Sequence, residues 1–445
     1  MFLIKHPDPK LNIPWYLTQI SFLLLPINPL WGMLVICTAT IIIFRLKYRV
    51  IISQHINWGF AILGGSLTMT SLFAFDRVSA ISGLINFLPY FIIFAGLSQL
   101  LYSVSTLEQL ARIIYFGSVP ITVLGFGQIW WGLQGEIQNI LMPGWYLRAM
   151  GNPSGRMSSL FYHANFLASF LTIIWVLGLG LIILELRKSN TDKKIFYLSL
   201  LLVINSLTFI ALILTHSRNG WMTTLVTCLA FAIYLGWRWI LLTVAIVSGA
   251  IIIAAFGNPP VRDWFRLIVP MFIWARINDQ FYPNRDVETL RITLWKFSWH
   301  LALKSPWKGW GLGSFKHLYQ PQSQIVIGHS HNLTLMLLSE VGIPWTVFFY
   351  FLVGWILAKG IILLTKINLD NSEEKLIIFT YLTAFFASIL FHVFDVTIFD
   401  ERVNLISWSI LSAIHGLTNN KKRNILPKLN ILVNAHEIQY CYHNI

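Results

Sequence analysis

Long apolar runs separated by short polar punctuation fill most of the 445-residue chain. A bilayer core of about 30 Å takes about 20 apolar residues per helix. About twelve such runs stand near 14–28, 30–44, 56–74, 84–104, 111–132, 161–184, 196–214, 219–236, 239–256, 332–357, 376–394 and 403–417. They run far beyond the roughly ten alternating residues of a barrel strand, so the pattern predicts helices and not a β-barrel. Pro26 and Pro29 split the first two runs, which predicts either a tight hairpin or one broken element. Pro120, Gly125 and Gly127 interrupt the fifth. Residues 257–331 form the longest connection, the only one large enough for a structured cap, and loops of this length are usually functional.

Inside that connection, residues 287–304 read as an amphipathic helix. Leu290, Leu294, Phe297 and Leu301 form its apolar stripe, and Asp286 is the expected N-cap. Trp295, Trp299, Trp307 and Trp310 suit a water–bilayer interface, so the helix is expected to lie along the membrane and cover a cavity. GWGLG at 309–313 has no βαβ unit around it and is not a nucleotide-binding loop. It reads as a flexible turn that ends the helix.

Composition narrows the class. Hydrophobic residues make up 56% and charged residues 11%, against about a quarter charged in a soluble domain. A single water-soluble globule, a disordered chain and a fibrous protein are excluded. The expected fold class is an all-α polytopic membrane protein of about twelve transmembrane helices, with one long external loop containing an amphipathic helix. The expected division is an amino-terminal bundle of about nine spans over 1–256, the external loop over 257–331, carboxy-terminal transmembrane helices over 332–418 and a cytoplasmic tail over 419–445. Cys37, Cys228 and Cys441 imply neither a disulfide framework nor a metal cluster. MFLIKHPDPK at the start shows no cleavable-signal pattern, so the first span is expected to stay in the protein.

Lys and Arg number 32 against 18 Asp and Glu, a net charge of +14. The cations are spread over many loops, which argues for topology and lipid contact and against nucleic acid. Alternate loops, from Lys5 and Lys10 through Arg187 and Lys194 to Lys421 and Lys428, hold 18 of the 32. The positive-inside rule puts those loops and both termini in the cytoplasm. Among the others are Arg148, Arg156, Arg218 and nine cations from Arg262 to Lys316. Such a patch beside apolar helices suits an amphiphile with an anionic head and a lipid tail, because arginine forks match phosphate oxygens. Any single arginine here more often pairs with a loop acid or a lipid phosphate, but three have a more specific setting. Arg156 lies in NPSGRMSSLFYHANFLASF, where a glycine turn leads into the sixth run and His163 and Asn165 follow. Arg218 lies in LTHSRNGW, a turn so short that the arginine sits at or just inside the membrane surface; snorkelling is the competing reading. Arg291 lies on the amphipathic segment.

GHSHNLTLMLLSEVGIPW, from Gly328 to Trp345, opens the tenth run and puts His331 at the outer end of its helix. Histidine can take a proton from a hydroxyl near neutral pH, although a lone histidine at a helix end is more often a structural hydrogen-bonder. Glu340 would lie about 13 Å deeper and half a turn round, so its partner is expected on another helix or in an internal cavity. His329 and His331 have metal-ligand chemistry, but the sequence shows no further ligand cluster. Asp395, Asp400, Glu401 and Arg402, between the last two runs, read as a solvated loop with local salt bridges.

These motifs resemble the O-antigen ligase and O-antigen polymerase superfamily of bacterial envelope glycosyltransferases. The family pattern is His, then Asn, Ser or Gln, nine residues, Gly, two residues, then Gly, Thr or Tyr. Here it reads His331, Asn332, nine residues, Gly342, Ile343, Pro344 and Trp345. Trp345 departs from the pattern, which bears on the ligase branch more than on the superfamily. The order GRMSSLFYHANFLASF, HSRNGW, then a long loop with GWGLGSF also looks like the family, over roughly 150–350.

The resemblance implies a GT-C-like membrane fold and inverting transfer without cofactor, metal or nucleotide sugar. It implies a polyprenyl-pyrophosphate-linked glycan donor at the outer face of the bacterial inner membrane. The acceptor hydroxyl would belong to lipid A-core or to another lipid-linked repeat; the other partners are membrane lipids, and no nucleic acid is involved. In that reading His331 is the catalytic base, and Arg156, Arg218 and Arg291 hold the pyrophosphate, with His329 and Asn165 also binding substrate. The alternative, from another class, is a transporter of a small anion such as bicarbonate, a name some relatives carry, with Asp395, Asp400 and His392 coupling protons. No inverted repeat and no matched pair of broken helices supports it. His331→Ala is expected to abolish surface-glycan assembly at normal protein level; wild-type glycan in that variant would remove the base assignment.

Overall fold

The computed structural model describes residues 3–137, 144–188, 192–278, 280, 286–366 and 372–420. Asp279, Arg285, Cys441 and the tail beyond Asn420 lie outside the described residues. The twelve apolar runs are largely helical, the fourth, fifth and tenth of them divided between successive helical elements. In hydrocarbon every backbone N–H and C=O must be satisfied within the chain, and the helix does this segment by segment.

The first two runs form a tight hairpin, α1 (Asn12–Leu24) and α2 (Pro29–Ile52). Pro29 opens α2, and the Asn28 side chain caps it by accepting from the Trp31 N–H. Gly32 lets the two helices meet: a Cβ there would lie 2.8 Å from the Leu25 Cα. α3 (His55–Leu72) follows, then α4 (Arg77–Gly83) with α5 (Leu88–Leu100), and α6 (Val104–Gly117) with α7 (Val119–Trp130). A small antiparallel hairpin of β1 (Gly135–Ile137) and β2 (Trp145–Leu147) puts Glu136 opposite Tyr146. Four long helices come next: α8 (Ala164–Leu186), α9 (Asp192–Leu214), α10 (Arg218–Leu235) and α11 (Arg238–Phe256). Then come α12 (Val261–Ile268), α13 (Met271–Ile277), α14 (Arg291–Lys304), α15 (Ser314–Ser323) and α16 (Leu333–Glu340). α17 (Ile343–Lys366), α18 (Ser372–His392) and a last helix, α19, over 401–420 close the bundle.

The protein is an all-α polytopic membrane protein, and eight of its described helical segments are long and apolar enough to cross a bilayer. α8 is the central one, with 89% of its apolar window buried, whereas α11 has 11% buried and turns its apolar surface outward. Three of the remaining runs fall short for local reasons. α1 has only 13 residues. α10 begins with Arg218 and Asn219, and α3 begins with His55 and Asn57.

Three sequence expectations change here. The tenth run is not one helix. Gly342, at φ +96°, ends α16 and lets α17 start in a new direction, so the crossing segment is α17. Asp286 does not cap the amphipathic helix. A 3-10 turn over Val287–Thr289 and extended backbone at Leu290 intervene, and α14 starts at Arg291. The stripe itself is correct in character: Leu294 and Leu301 are buried, and Phe297 packs against Phe315 and Tyr319 of α15, ring centroids 5.7 and 4.9 Å apart.

The third change concerns GWGLG, which is a fixed clasp and not a flexible turn. Gly309, Gly311 and Gly313 all have positive φ. The Trp310 and Gly311 N–H groups donate to the Ser339 and Glu340 carbonyls at 3.0 and 2.8 Å, and the Trp310 carbonyl accepts from the Phe75 N–H at 2.9 Å. The buried Glu340 carboxylate accepts from the Gly313 and Phe315 N–H groups at 2.9 and 3.2 Å. Glu340 thus finds the internal partner its depth requires, and the clasp locks α14, α15, α16 and the α3–α4 turn together.

A Cβ on Gly311 would lie 2.2 Å from the Ala74 Cβ and sit at φ +100°. Gly311→Ala is therefore expected to cost roughly 2–5 kcal/mol from overpacking and left-handed strain combined. Gly328→Ala, with open space around it, serves as control. Thermal melting in detergent reads the difference, and equal melting temperatures would contradict the clasp.

Candidate functional site

A cavity of about 870 Å³ opens where the amino-terminal ends of α8, α10 and α14 converge. Four arginines line it, Arg156, Arg218, Arg276 and Arg291, with His163, His216 and His331, and none of the described residues lining it is acidic. The helix ends are built locally. The His163 ring caps α8 by accepting from the Asn165 N–H at 3.1 Å, and Ser217 caps α10 by accepting from the Gly220 N–H at 3.3 Å. Three helix dipoles thus add positive potential to that of the guanidinium groups.

Backbone carbonyls aim the arginines. Arg156 Nε donates to the Thr215 carbonyl at 2.8 Å, and Arg276 Nε to the His216 carbonyl at 2.9 Å. Arg218 donates to the Arg276 carbonyl at 3.1 Å. Three of the guanidinium groups lining the cavity are thus held in direction by backbone carbonyls.

His331 stands at the cavity edge in a left-handed conformation, φ +53°. For a non-glycine residue this costs on the order of 1–3 kcal/mol, and it persists only where the surroundings fix it. Here its N–H donates to His329 Nδ1 at 3.1 Å, and its own Nδ1 meets Asp395 Oδ1 at 2.8 Å. Asp395 is buried and also accepts from the Val396 N–H at 2.9 Å and from Asn165 Nδ2. Asn165 Oδ1 in turn accepts from Arg156 at 2.6 Å. Arg156, Asn165, Asp395 and His331 form one continuous chain. Asn332 anchors the other side: its Oδ1 caps α16 through the Leu335 N–H at 2.8 Å, and its Nδ2 donates to the Val393 carbonyl at 2.9 Å.

Burial opposes charge on Asp395, but the His331 hydrogen bond, with the Arg291 guanidinium nearby, outweighs it. Its carboxyl is held well below the usual range. A carboxylate on Nδ1 fixes the proton there and leaves Nε2 as the free acceptor, the form a general base needs. His163 and His329 are different. Burial first, then Arg156 beside one and His331 beside the other, pushes each down to about 4. Both are neutral hydrogen-bonding groups at neutral pH. Burial, with Arg276 and Arg156 nearby, also lowers His216.

Of the residues singled out in the sequence, Arg156, Arg218, Arg291, Asn165 and His331 meet in this cavity. His329 does not line it. It supports His331, with ring centroids 4.5 Å apart, and stacks on Phe399. Arg276 was not singled out, and Asp395 was named only as a proton-coupling group in the transporter alternative. Arg276 lies in MFIWARIN, which carries no motif, and Asp395 lies 64 residues from its partner His331. The solvated loop expected for 395–402 is overturned for three of its four residues: Asp395, Asp400 and Arg402 are 3, 6 and 1% exposed. The expected salt bridge does form, Arg402 to Asp400 at 3.0 Å, and Arg402 also donates to the Pro26 and Gly144 carbonyls and lies over the Phe161 ring. These bonds tie the α1–α2 turn to the start of α19, and burial is possible because every charge is matched.

His329, His331 and Asp395 also bring three metal-ligand donors within 4.8 Å of one another, a third donor the sequence did not reveal. Asp395 Oδ1 is already bonded to His331 Nδ1, so a cation there would have to break the bond that orients the base.

Residues 200–350 match the family model for O-antigen ligase, which bears out the resemblance to the O-antigen ligase and polymerase superfamily. The matched stretch holds Arg218, Arg276, Arg291 and His331. No curated protein matches the chain.

Asp395→Asn keeps the shape but removes the charge that fixes the imidazole proton. Surface-glycan transfer is expected to fall roughly 10²–10⁴-fold, at unchanged protein level. Activity within a factor of two of wild type would show that Asp395 does not orient the base.

Proposed function

We propose that this chain of the O-antigen ligase and polymerase superfamily moves a glycan from a polyprenyl-pyrophosphate carrier to an acceptor hydroxyl, with inversion. It would act on the outer face of the bacterial inner membrane, with both termini in the cytoplasm and the 257–331 segment as an external cap. One observation carries the reading: four arginines and three helix ends point into a cavity that also contains an imidazole oriented by a buried carboxylate.

In this mechanism the acceptor oxygen attacks the anomeric carbon from the face opposite the carrier. His331 Nε2 takes the hydroxyl proton as the new C–O bond forms. The bond from the anomeric carbon to the phosphate oxygen breaks, and its electron pair leaves with the pyrophosphate. Arg156, Arg218, Arg276 and Arg291 hold the growing negative charge on that leaving group. Each charge-assisted contact contributes about 1.5–3 kcal/mol. Asp395 stabilises the imidazolium until the proton returns to solvent. The apolar helix surfaces beside the cavity suit the carrier's isoprenoid tail, and the acceptor is either lipid A-core or a second lipid-linked repeat.

The test is transfer in bilayer nanodiscs from a synthetic polyprenyl-pyrophosphate glycan, with lipid A-core and a second lipid-linked repeat competing as acceptors. Transfer to either supports the reading, and its absence with both overturns it. Arg218→Lys and Arg291→Lys keep the charge but lose the fork, and each is expected to cut kcat/KM at least about tenfold. Full activity with lysine would contradict bidentate grip on the pyrophosphate.

A further inference from the structure

A cavity of about 520 Å³ lies at the other end of the bundle, where the α2–α3 turn meets α17 and α19. α3 starts at this cavity and ends beside the clasp, where the Phe75 N–H donates to the Trp310 carbonyl. Its 18 residues span about 27 Å at the helical rise, so the cavity stands close to one hydrocarbon thickness from the clasp. In the topology proposed above it sits in the cytoplasmic leaflet. Lys359 lines it, with its ammonium 5.0 Å from the centre of the Trp355 ring, and none of the described residues lining it is acidic. His55 and Ile56, the first residues of α3, line the same space. Gln54 precedes them without capping the helix, because its Oε1 meets His415 Nε2 at 3.1 Å instead. The positive end of the α3 dipole and its first N–H groups are therefore left to solvent or a ligand. His415 also lines the cavity and is 2% exposed, and its Nδ1 has no hydrogen-bond partner among the described residues. A buried ring nitrogen left unmatched is costly and calls for a polar partner. Phe351 and Trp355, 59 and 50% exposed, stack on one flank of α17, a helix long and apolar enough to cross a bilayer. The cavity thus opens sideways toward acyl chains. A basic pocket between transmembrane helices at the cytoplasmic side is the arrangement that holds anionic lipid headgroups.

We propose that this cavity binds one anionic phospholipid of the cytoplasmic leaflet. The lipid phosphate sits between the Lys359 ammonium and the first N–H groups of α3, and the acyl chains lie along Phe351 and Trp355. Ser53 and Asn419, also in the lining, offer hydroxyl and amide groups to a hydroxyl-bearing head. A choline head would bring a second cation toward Lys359, so the site selects a headgroup of net negative charge. The glycosyl-transfer reading gives this end of the molecule no ligand, and the inference stands independently of it.

The test is native mass spectrometry of the full chain, released from phosphatidylcholine nanodiscs made with or without phosphatidylglycerol. The wild type is expected to retain one phosphatidylglycerol in preference to phosphatidylcholine. Lys359→Gln should weaken that retention about fivefold. Lys366→Gln removes the same charge from the exposed end of α17, outside the cavity, and should leave retention unchanged. Neither lysine is buried, so both variants keep the core intact. Inorganic phosphate, followed by calorimetry in phosphatidylcholine nanodiscs, is the second probe. Phosphate binding that depends on Lys359, without any preference for phosphatidylglycerol, would mark a site for free phosphate and overturn the lipid assignment. Equal retention of the two lipids, or equal losses in the two lysine variants, would reduce the cavity to diffuse surface charge and overturn the proposal.

Discussion

A buried carboxylate bonded to an imidazole at 2.8 Å is the contact on which the site depends. Asp395 could not remain charged in the interior unaided, and three groups compensate it: His331 Nδ1, the Val396 N–H and Asn165 Nδ2. Those groups belong to three separated parts of the chain. The pairing therefore fixes the left-handed backbone of His331, the first turn of α8 and the α18–α19 connection in one arrangement. Asn165 passes the constraint on to Arg156. Base and anion site are thereby held in register.

The rest of the fold supplies the setting. α8 is nearly engulfed, so its capped end is a firm reference point for Arg156 and Asn165. The Glu340 clasp orients α14, whose first residue is Arg291. The Arg402–Asp400 pair pins α19 to the α1–α2 turn. Each of these is a polar contact inside an apolar bundle, where an unmatched partner is most costly, so each specifies geometry more sharply than apolar packing does.

Hydropathy made the helices legible, because a chain in lipid has little alternative to the helix. Arg156, Arg218, Arg291 and His331 were legible because each sits in a short, distinctive stretch next to a helix start. Arg276 and Asp395 were not. Their roles arise from contacts to His216, 60 residues away, and to His331, 64 residues away, which no local spacing encodes. The break at Gly342 was hidden inside an apolar run, where composition is uniform and only the positive φ distinguishes the residue. The burial of Asp400 and Arg402 was missed for a related reason. A charged pair looks solvated in sequence until the carbonyls of Pro26 and Gly144 are seen to complete its hydrogen bonds.

The most direct measurement is an electron cryomicroscopy map of the chain in nanodiscs with a polyprenyl-diphosphate glycan whose scissile anomeric oxygen is replaced by methylene. The account predicts both phosphates within hydrogen-bond distance of Arg156, Arg218, Arg276 and Arg291, with the anomeric carbon facing His331 Nε2. Phosphates seated elsewhere, or a sugar remote from His331 while the arginine cavity stays empty, would contradict it.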